Sequence, residues 1–384
     1  MATTRRRALL ALLLALLLTL APAGAPPAAA QPAFPPELAA ALDAALHAAR
    51  RDARAPGALL YVSAPGLGAF SGASGLADVA AGAPLVPDAR VRLASLTKPF
   101  VAAVAMQLVQ EGWLRLDHSV EHWLPGLVPG GAQITVAQLM RHTSGLPDYL
   151  SDGIVGRARR APERVWAPRE LVAEALGKPR RFAPGAPGRW AYANTNYILL
   201  GMIVERVTGN PLERELGQRI FAPLGLRGAA LAPPTADPGD LVRGYVGGRD
   251  YTALNMSVAW AAGGMTASVG DVGAFAEALF GGRLLRPEPL AAMLACEGTG
   301  AAWGIADMAY GLGLMRRALP AAGLAPEARL ALGHTGALGG YRTAMWHLPQ
   351  SGVTIVVALT RYEADPTPLV TRALEALAAH GVVG

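Results

Sequence analysis

The stretch Ala94-Ser95-Leu96-Thr97-Lys98-Pro99-Phe100, followed by Val101-Ala-Ala-Val-Ala-Met-Gln-Leu-Val109, decides the reading of this 384-residue chain. The downstream run is apolar on every side, which marks a buried helix. It stops at Glu111-Gly112, where glycine suits the left-handed end position. Pro99 would break a helix interior but is tolerated in a first turn, whose N–H groups lack helical partners anyway. The helix therefore starts near Ser95, and a spacing of three puts Ser95 and Lys98 on one face of its first turn. A serine hydroxyl is a weak nucleophile until a neighbour takes its proton. A lysine in an apolar turn is partly desolvated, which disfavours its charged form and lets it accept that proton. The Ser95 N–H lies at the positive end of the helix, suited to an oxyanion. Taken alone, S-x-x-K also fits a surface Ser and Lys at a helix start.

Working outward, strand-like pieces precede this helix at 58–63 and 68–72, and an amphipathic helix runs from Pro36 to Arg51. The chain reads as mainly helical from about 96 to 241. Short strand-like runs return at 310–314, 329–334, 341–347 and 353–360, and a last helix covers about 368–379. The expected fold is α+β: one antiparallel sheet built from strands at both ends, terminal helices on one face, and a helical insertion, with a cleft between the two parts. Residues 31–384 are expected to form one catalytic domain, with 31–95 and about 242–384 as its α/β part and about 96–241 as its helical part.

Two further stretches can carry chemistry. Tyr192-Ala193-Asn194 follows the loop Phe182-Ala-Pro-Gly185. A tyrosine near the Ser–Lys pair can act as a base if its pKa falls beside the lysine cation. Asn194 can hold Lys98 and a substrate amide. His334-Thr335-Gly336-Ala337 ends a strand-like run, and its glycine lets a backbone approach a ligand closely. The Ala337 amide can be a second oxyanion donor opposite Ser95. Taken singly, these stretches also fit a helix cap with a packed ring and an edge strand with a turn.

In this order, Ser95-Leu-Thr-Lys98, Tyr192-Ala-Asn194 and His334-Thr-Gly336 resemble the serine β-lactamase and penicillin-binding family. The tyrosine of the second motif is similar to the class C branch, which includes D-alanyl-D-alanine carboxypeptidases and some esterases. Leu139-Met-Arg-His-Thr-Ser-Gly-Leu146, Tyr192-Ala-Asn-Thr-Asn-Tyr-Ile-Leu-Leu-Gly201 and Ala262-Gly-Gly-Met-Thr-Ala-Ser268 are similar to further family signatures. The resemblance runs from about residue 40 to 380. It implies that Ser95 becomes acylated, that Lys98 and Tyr192 share the proton work, and that Asn194 orients. It also implies an oxyanion hole from the Ser95 and Ala337 amides, with Thr335 and Gly336 meeting the substrate and Thr335 touching its carboxylate. His334 stands where the common lactamase pattern has Lys, and looks more like the carboxypeptidase and esterase members. In Gly311-Leu-Gly-Leu-Met315-Arg316-Arg317 an inward arginine would anchor a free carboxylate, whereas Met315 inward would not.

The leading expectation is an acyl-enzyme hydrolase like a D-Ala-D-Ala carboxypeptidase, acting on peptidoglycan peptides without metal or cofactor. The alternatives are an esterase or amidase of the same fold, a class C-type β-lactamase, and a penicillin-binding sensor that acylates without turnover. The substrate is a small molecule or peptide. Arg5-Arg6-Arg7, the apolar run Ala8–Ala21 and Ala28-Ala29-Ala30 read as a secretory signal peptide, implying a periplasmic or secreted protein. The apolar run is too short for a stable membrane span. The signal holds three of the basic residues and no acid, so the formal charge of +6 overstates the rest of the chain. No dense basic run with interleaved aromatics suggests nucleic acid. Two minor signals compete. His118-Ser-Val-Glu121-His122 fits an H-x-x-E-H zinc pattern but reads better as an exposed polar turn. Cys296, the lone cysteine, reads as buried filler.

Overall fold

The computed structural model describes residues 34–231, 241–299, 305 and 307–384. The basic, apolar and small-residue segment at 1–30 lies outside the described residues. Helix α1 (Pro36–Asp52) starts on a proline in its first turn, and Leu38, Leu42, Leu46 and Ala49 form its buried stripe. Next come strands β1 (Gly57–Ala64), β2 (Gly68–Asp78) and β3 (Ala83–Pro84). The C-terminal third supplies β4 (Glu297–Gly298), β5 (Ala309–Tyr310), β6 (Met315–Ala318), β7 (Leu330–Leu338), β8 (Tyr341–Leu348) and β9 (Val353–Leu359). Together they make one nine-stranded sheet in the order β3-β2-β1-β9-β8-β7-β6-β5-β4. All its pairings are antiparallel, and β1 meets β9 in the middle with Leu60 opposite Val357.

The two-residue alternation of β1 divides the core. Leu60 and Val62 pack with Ile355, Val357 and Trp346 beneath α1 and the C-terminal helix Thr367–Ala379. Leu59 and Tyr61 join the other core, shared with the helical region. Between the N-terminal and C-terminal strands lie helix α2 (Thr97–Gln110) and helix α3 (Asn194–Thr208), among shorter helices. Every residue of α2 from Thr97 to Leu108 is buried. Phe100 stacks on Phe275 at 3.6 Å and meets Phe221 edge-on. Each such side chain contributes about 1.5–3 kcal/mol by leaving water, so α2 is held as a rigid rod through the helical part. No described helix is long and apolar enough to cross a membrane.

Three expected boundaries move. β2 continues past residue 72 to Asp78. The run 310–314 is no single strand. β5 and β6 form a hairpin, Tyr310 opposite Met315, and Gly311 to Leu314 turn between them. Gly313 (φ 89°) sits there because a Cβ would lie 2.5 Å from Ala102 and 2.8 Å from the Tyr197 hydroxyl. The strand expected to end at His334 runs on to Leu338, so His334-Thr-Gly-Ala337 lies inside β7.

Candidate active site

Ser95 sits in the 3-10 turn Ala94–Leu96, immediately before α2. The turn is pinned on both sides. Leu93 N–H donates to Met265 O (2.9 Å), and Thr343 Oγ1 donates to Leu93 O (2.8 Å). β7 presses directly on it: a Cβ on Gly336 would lie 2.3 Å from both Leu93 O and Thr343 Oγ1. Only glycine admits that approach, which brings the Thr335–Ala337 segment against the nucleophile turn. Ala94 itself adopts φ 50°, a left-handed conformation costly for a residue with a Cβ. His142 (φ 62°) and Trp260 (φ 32°) share this feature, and both lie in segments that contact the site. Such strain persists only where the surroundings over-determine it.

Lys98 is fully buried. Its Nζ lies 3.1 Å from Ser95 Oγ, 2.8 Å from Asn194 Oδ1 and 2.6 Å from Ala262 O. The last two are acceptors only, the amide oxygen being the atom that faces the amine. A neutral amine has two N–H donors and one lone pair. With both donors spent on Asn194 and Ala262, the lone pair points at the Ser95 hydroxyl. Burial pushes Lys98 down to about 7, opposed by the charge of Asp148. The neutral form is therefore well populated near neutral pH.

Asp148 is a site residue the sequence reading missed. Its carboxylate accepts from Asn194 N (3.0 Å), Asn194 Nδ2 (2.9 Å) and Leu150 N (3.0 Å). The Nδ2 bond orients the Asn194 amide so that its oxygen meets Lys98. Burial raises the Asp148 pKa, against the lowering by these bonds and by Lys98. The family-like stretch ending at Leu146 stops two residues short of it. Its position beside that stretch was the one available signal.

Tyr192 hydrogen-bonds Ser95 through its hydroxyl, and Lys98 Nζ stands 4.8 Å from its ring centroid. The fall in pKa that would let Tyr192 act as a base does not occur. The residue as a whole is only half-buried, but burial of the phenol pushes it well above its ordinary value. Its hydrogen bond with Ser95 pulls the other way without offsetting that desolvation, and Tyr192 remains a protonated phenol.

On the strand wall, His334 is fully buried and neutral. Burial, then the Lys98 charge, pushes it down to about 3. Thr335 is half-buried, with its Oγ1 3.9 Å from Met315 Sδ. Met315 is buried and Arg316 exposed, so the inward place on β6 belongs to a thioether and not to a guanidinium. Ala337 is half-buried and lines a cavity of about 380 Å³ with Leu150, Arg159, Tyr251 and Leu338. Ser95, Lys98, Tyr192 and Asn194 thus converge directly. His334, Thr335, Gly336 and Ala337 form the facing strand.

The minor signals lie apart from the cleft's chemistry. His118 and His122 stack with ring centroids 4.7 Å apart, and the Glu121 carboxylate accepts from Gly126 N–H (3.0 Å). Cys296 is half-buried, its thiol pushed up to about 11 by burial.

The chain is similar to several known proteins. The chain is 36% identical over 188 residues to the esterase EstB of Burkholderia gladioli, covering 46% of this chain and 47% of that one. It is 29% identical over 322 residues to a D-aminopeptidase of Brucella canis, covering 79% and 56%. The chain spans about half the length of these curated relatives. Among solved structures, the D-amino acid amidase of Ochrobactrum anthropi SV3 superposes with a TM-score of 0.78 at 28% identity, covering 90% of this chain and 99% of that one. Residues 42–380 match the Beta-lactamase family, and the chain belongs to that family.

Proposed function

We propose that this chain is a serine amidase and esterase that takes substrates with an uncharged end, D-amino acid amides foremost, in preference to peptides ending in a free carboxylate. One observation carries the reading. The two positions that would place a cation beside Thr335 hold a neutral imidazole, His334, and the thioether of Met315. A carboxypeptidase needs a fixed positive charge there to offset desolvation of the terminal carboxylate. An amide or ester needs none. The names of the esterase, the D-aminopeptidase and the D-amino acid amidase point the same way.

The chemistry follows from the helical wall. Lys98 takes the Ser95 proton through its free lone pair, and Ser95 Oγ attacks the carbonyl carbon. The Ser95 and Ala337 N–H groups face the developing oxyanion. Lys98, now an ammonium, returns the proton through the Tyr192 hydroxyl to the leaving amine or alcohol. Water then enters, gives a proton to Lys98 and attacks the acyl carbon, and Lys98 returns that proton to Ser95 Oγ as the ester C–O bond breaks, which releases the acid and regenerates both groups.

The test is hydrolysis of D-phenylalaninamide, p-nitrophenyl acetate and an acyl-D-Ala-D-Ala peptide, wild type beside Ser95→Ala. The amide and the ester are expected to turn over with kcat/KM at least ~10-fold above the peptide, and Ser95→Ala to be inert on all three. Faster release of D-alanine from the peptide would overturn the reading in favour of the carboxypeptidase. A stable acyl adduct with no turnover of any substrate would overturn it in favour of the penicillin-binding sensor.

A further inference from the structure

Behind the cleft, fully buried side chains link its two walls. Ala193, between Tyr192 and Asn194, donates its N–H to His142 Nδ1 (3.3 Å), and Asn196 Nδ2 stands 3.0 Å from the same nitrogen. His142 Nε2 lies 3.3 Å from the Tyr310 hydroxyl. That hydroxyl lies 2.9 Å from His334 Nε2, and His334 Nδ1 lies 2.6 Å from Thr335 O.

The two ends determine every proton between them. A backbone N–H can only donate, so His142 Nδ1 accepts and its proton sits on Nε2. A carbonyl can only accept, so the His334 proton sits on Nδ1. Tyr310 then receives from His142 and donates to His334. No other arrangement of two neutral imidazoles satisfies all five contacts. Burial pushes both imidazoles below their ordinary range, which keeps them neutral beside Lys98. The chain thus runs in one direction, from the loop carrying Tyr192 and Asn194 to the strand carrying Thr335 and Ala337.

We propose that Tyr310 and His142 are positioning residues that hold these two walls at the separation acylation requires, acting through His334 and the Thr335 carbonyl. The tie crosses from the helical part to the sheet just behind Ser95, where a displacement of an ångström costs rate steeply. It also spends both His334 nitrogens inside the protein, so His334 supports the strand without touching substrate. The proposal rests on Ser95 as nucleophile, but its proton assignments do not depend on any substrate.

The test is Tyr310→Phe, which keeps the ring and removes one hydroxyl. With p-nitrophenyl acetate, kcat is expected to fall ~10–100-fold while KM stays within ~2-fold. His142→Asn still accepts from Ala193 N–H but offers Tyr310 a poorer donor. It is expected to lower kcat similarly, and it serves in its own right if the Phe variant folds poorly. Because one chain carries the effect, the double variant should lose no more than the worse single one. Nitrogen-15 NMR of the imidazoles should show the Nε2–H form for His142 and the Nδ1–H form for His334, with the His334 Nε2 resonance shifting in Tyr310→Phe as that nitrogen loses its donor. Unchanged kcat in both folded variants, additive losses, or a His334 Nε2 resonance indifferent to Tyr310 would each overturn the proposal.

Discussion

The two walls of the cleft solve different problems. The helical wall holds ionisable groups in tension: Lys98 pressed down by burial, Asp148 pressed up, and each opposing the shift of the other. The strand wall holds backbone, a neutral imidazole, a hydroxyl and a thioether. Activation therefore belongs to the wall that can move a proton. Recognition belongs to the wall that presents shape without charge.

The sharpest way to break the division is Lys98→Met. Loss of the base should lower kcat by ~10²–10⁴ with KM little changed. It should also erase the acid limb of the wild-type pH profile, in which kcat/KM for a neutral amide rises with pH and levels above about 7 as Lys98 loses its proton. A retained limb would assign it to another group. Asp148→Asn sharpens the same wall with a smaller effect, ~10-fold in kcat from the disordered Asn194 amide. Asp148 raises the Lys98 pKa, so its neutralisation should move the acid limb to lower pH. A limb that moves up would show that the carboxylate is not felt at Lys98. The smallest effect belongs to the strand wall. Met315→Arg places a cation next to Thr335, and KM for an acyl-D-Ala-D-Ala peptide should fall several-fold with kcat for the neutral amide unchanged. An unchanged KM would remove Met315 from the account of substrate choice.

How much of this was legible beforehand differs by residue. Ser95 and Lys98 were placed by local rules, because Pro99 and the apolar run settle the helix start and its face. The central sheet was legible from strand runs at both ends. The β5–β6 hairpin was not, because Gly313 turns the chain to clear Ala102 and Tyr197, which lie far away in sequence. Asp148 looks like any acid after a proline, and its role arises only when the fold lays it against Asn194. The Tyr192 shift went the other way because a sequence shows a neighbouring lysine but not the burial of the phenol.

The pairing of β1 with β9 has a kinetic meaning. Gly57 N–H donates to Thr360 Oγ1 across 303 residues of chain at 2.8 Å. The sheet is thus closed by contacts between opposite ends of the chain, and that closure entropy comes due before the strand contacts reward it. Until Val353-Thr-Ile-Val-Val-Ala-Leu359 arrives, β1 presents an open apolar edge, and that last strand is itself a sticky segment while it waits. Completion of the sheet waits on that last strand.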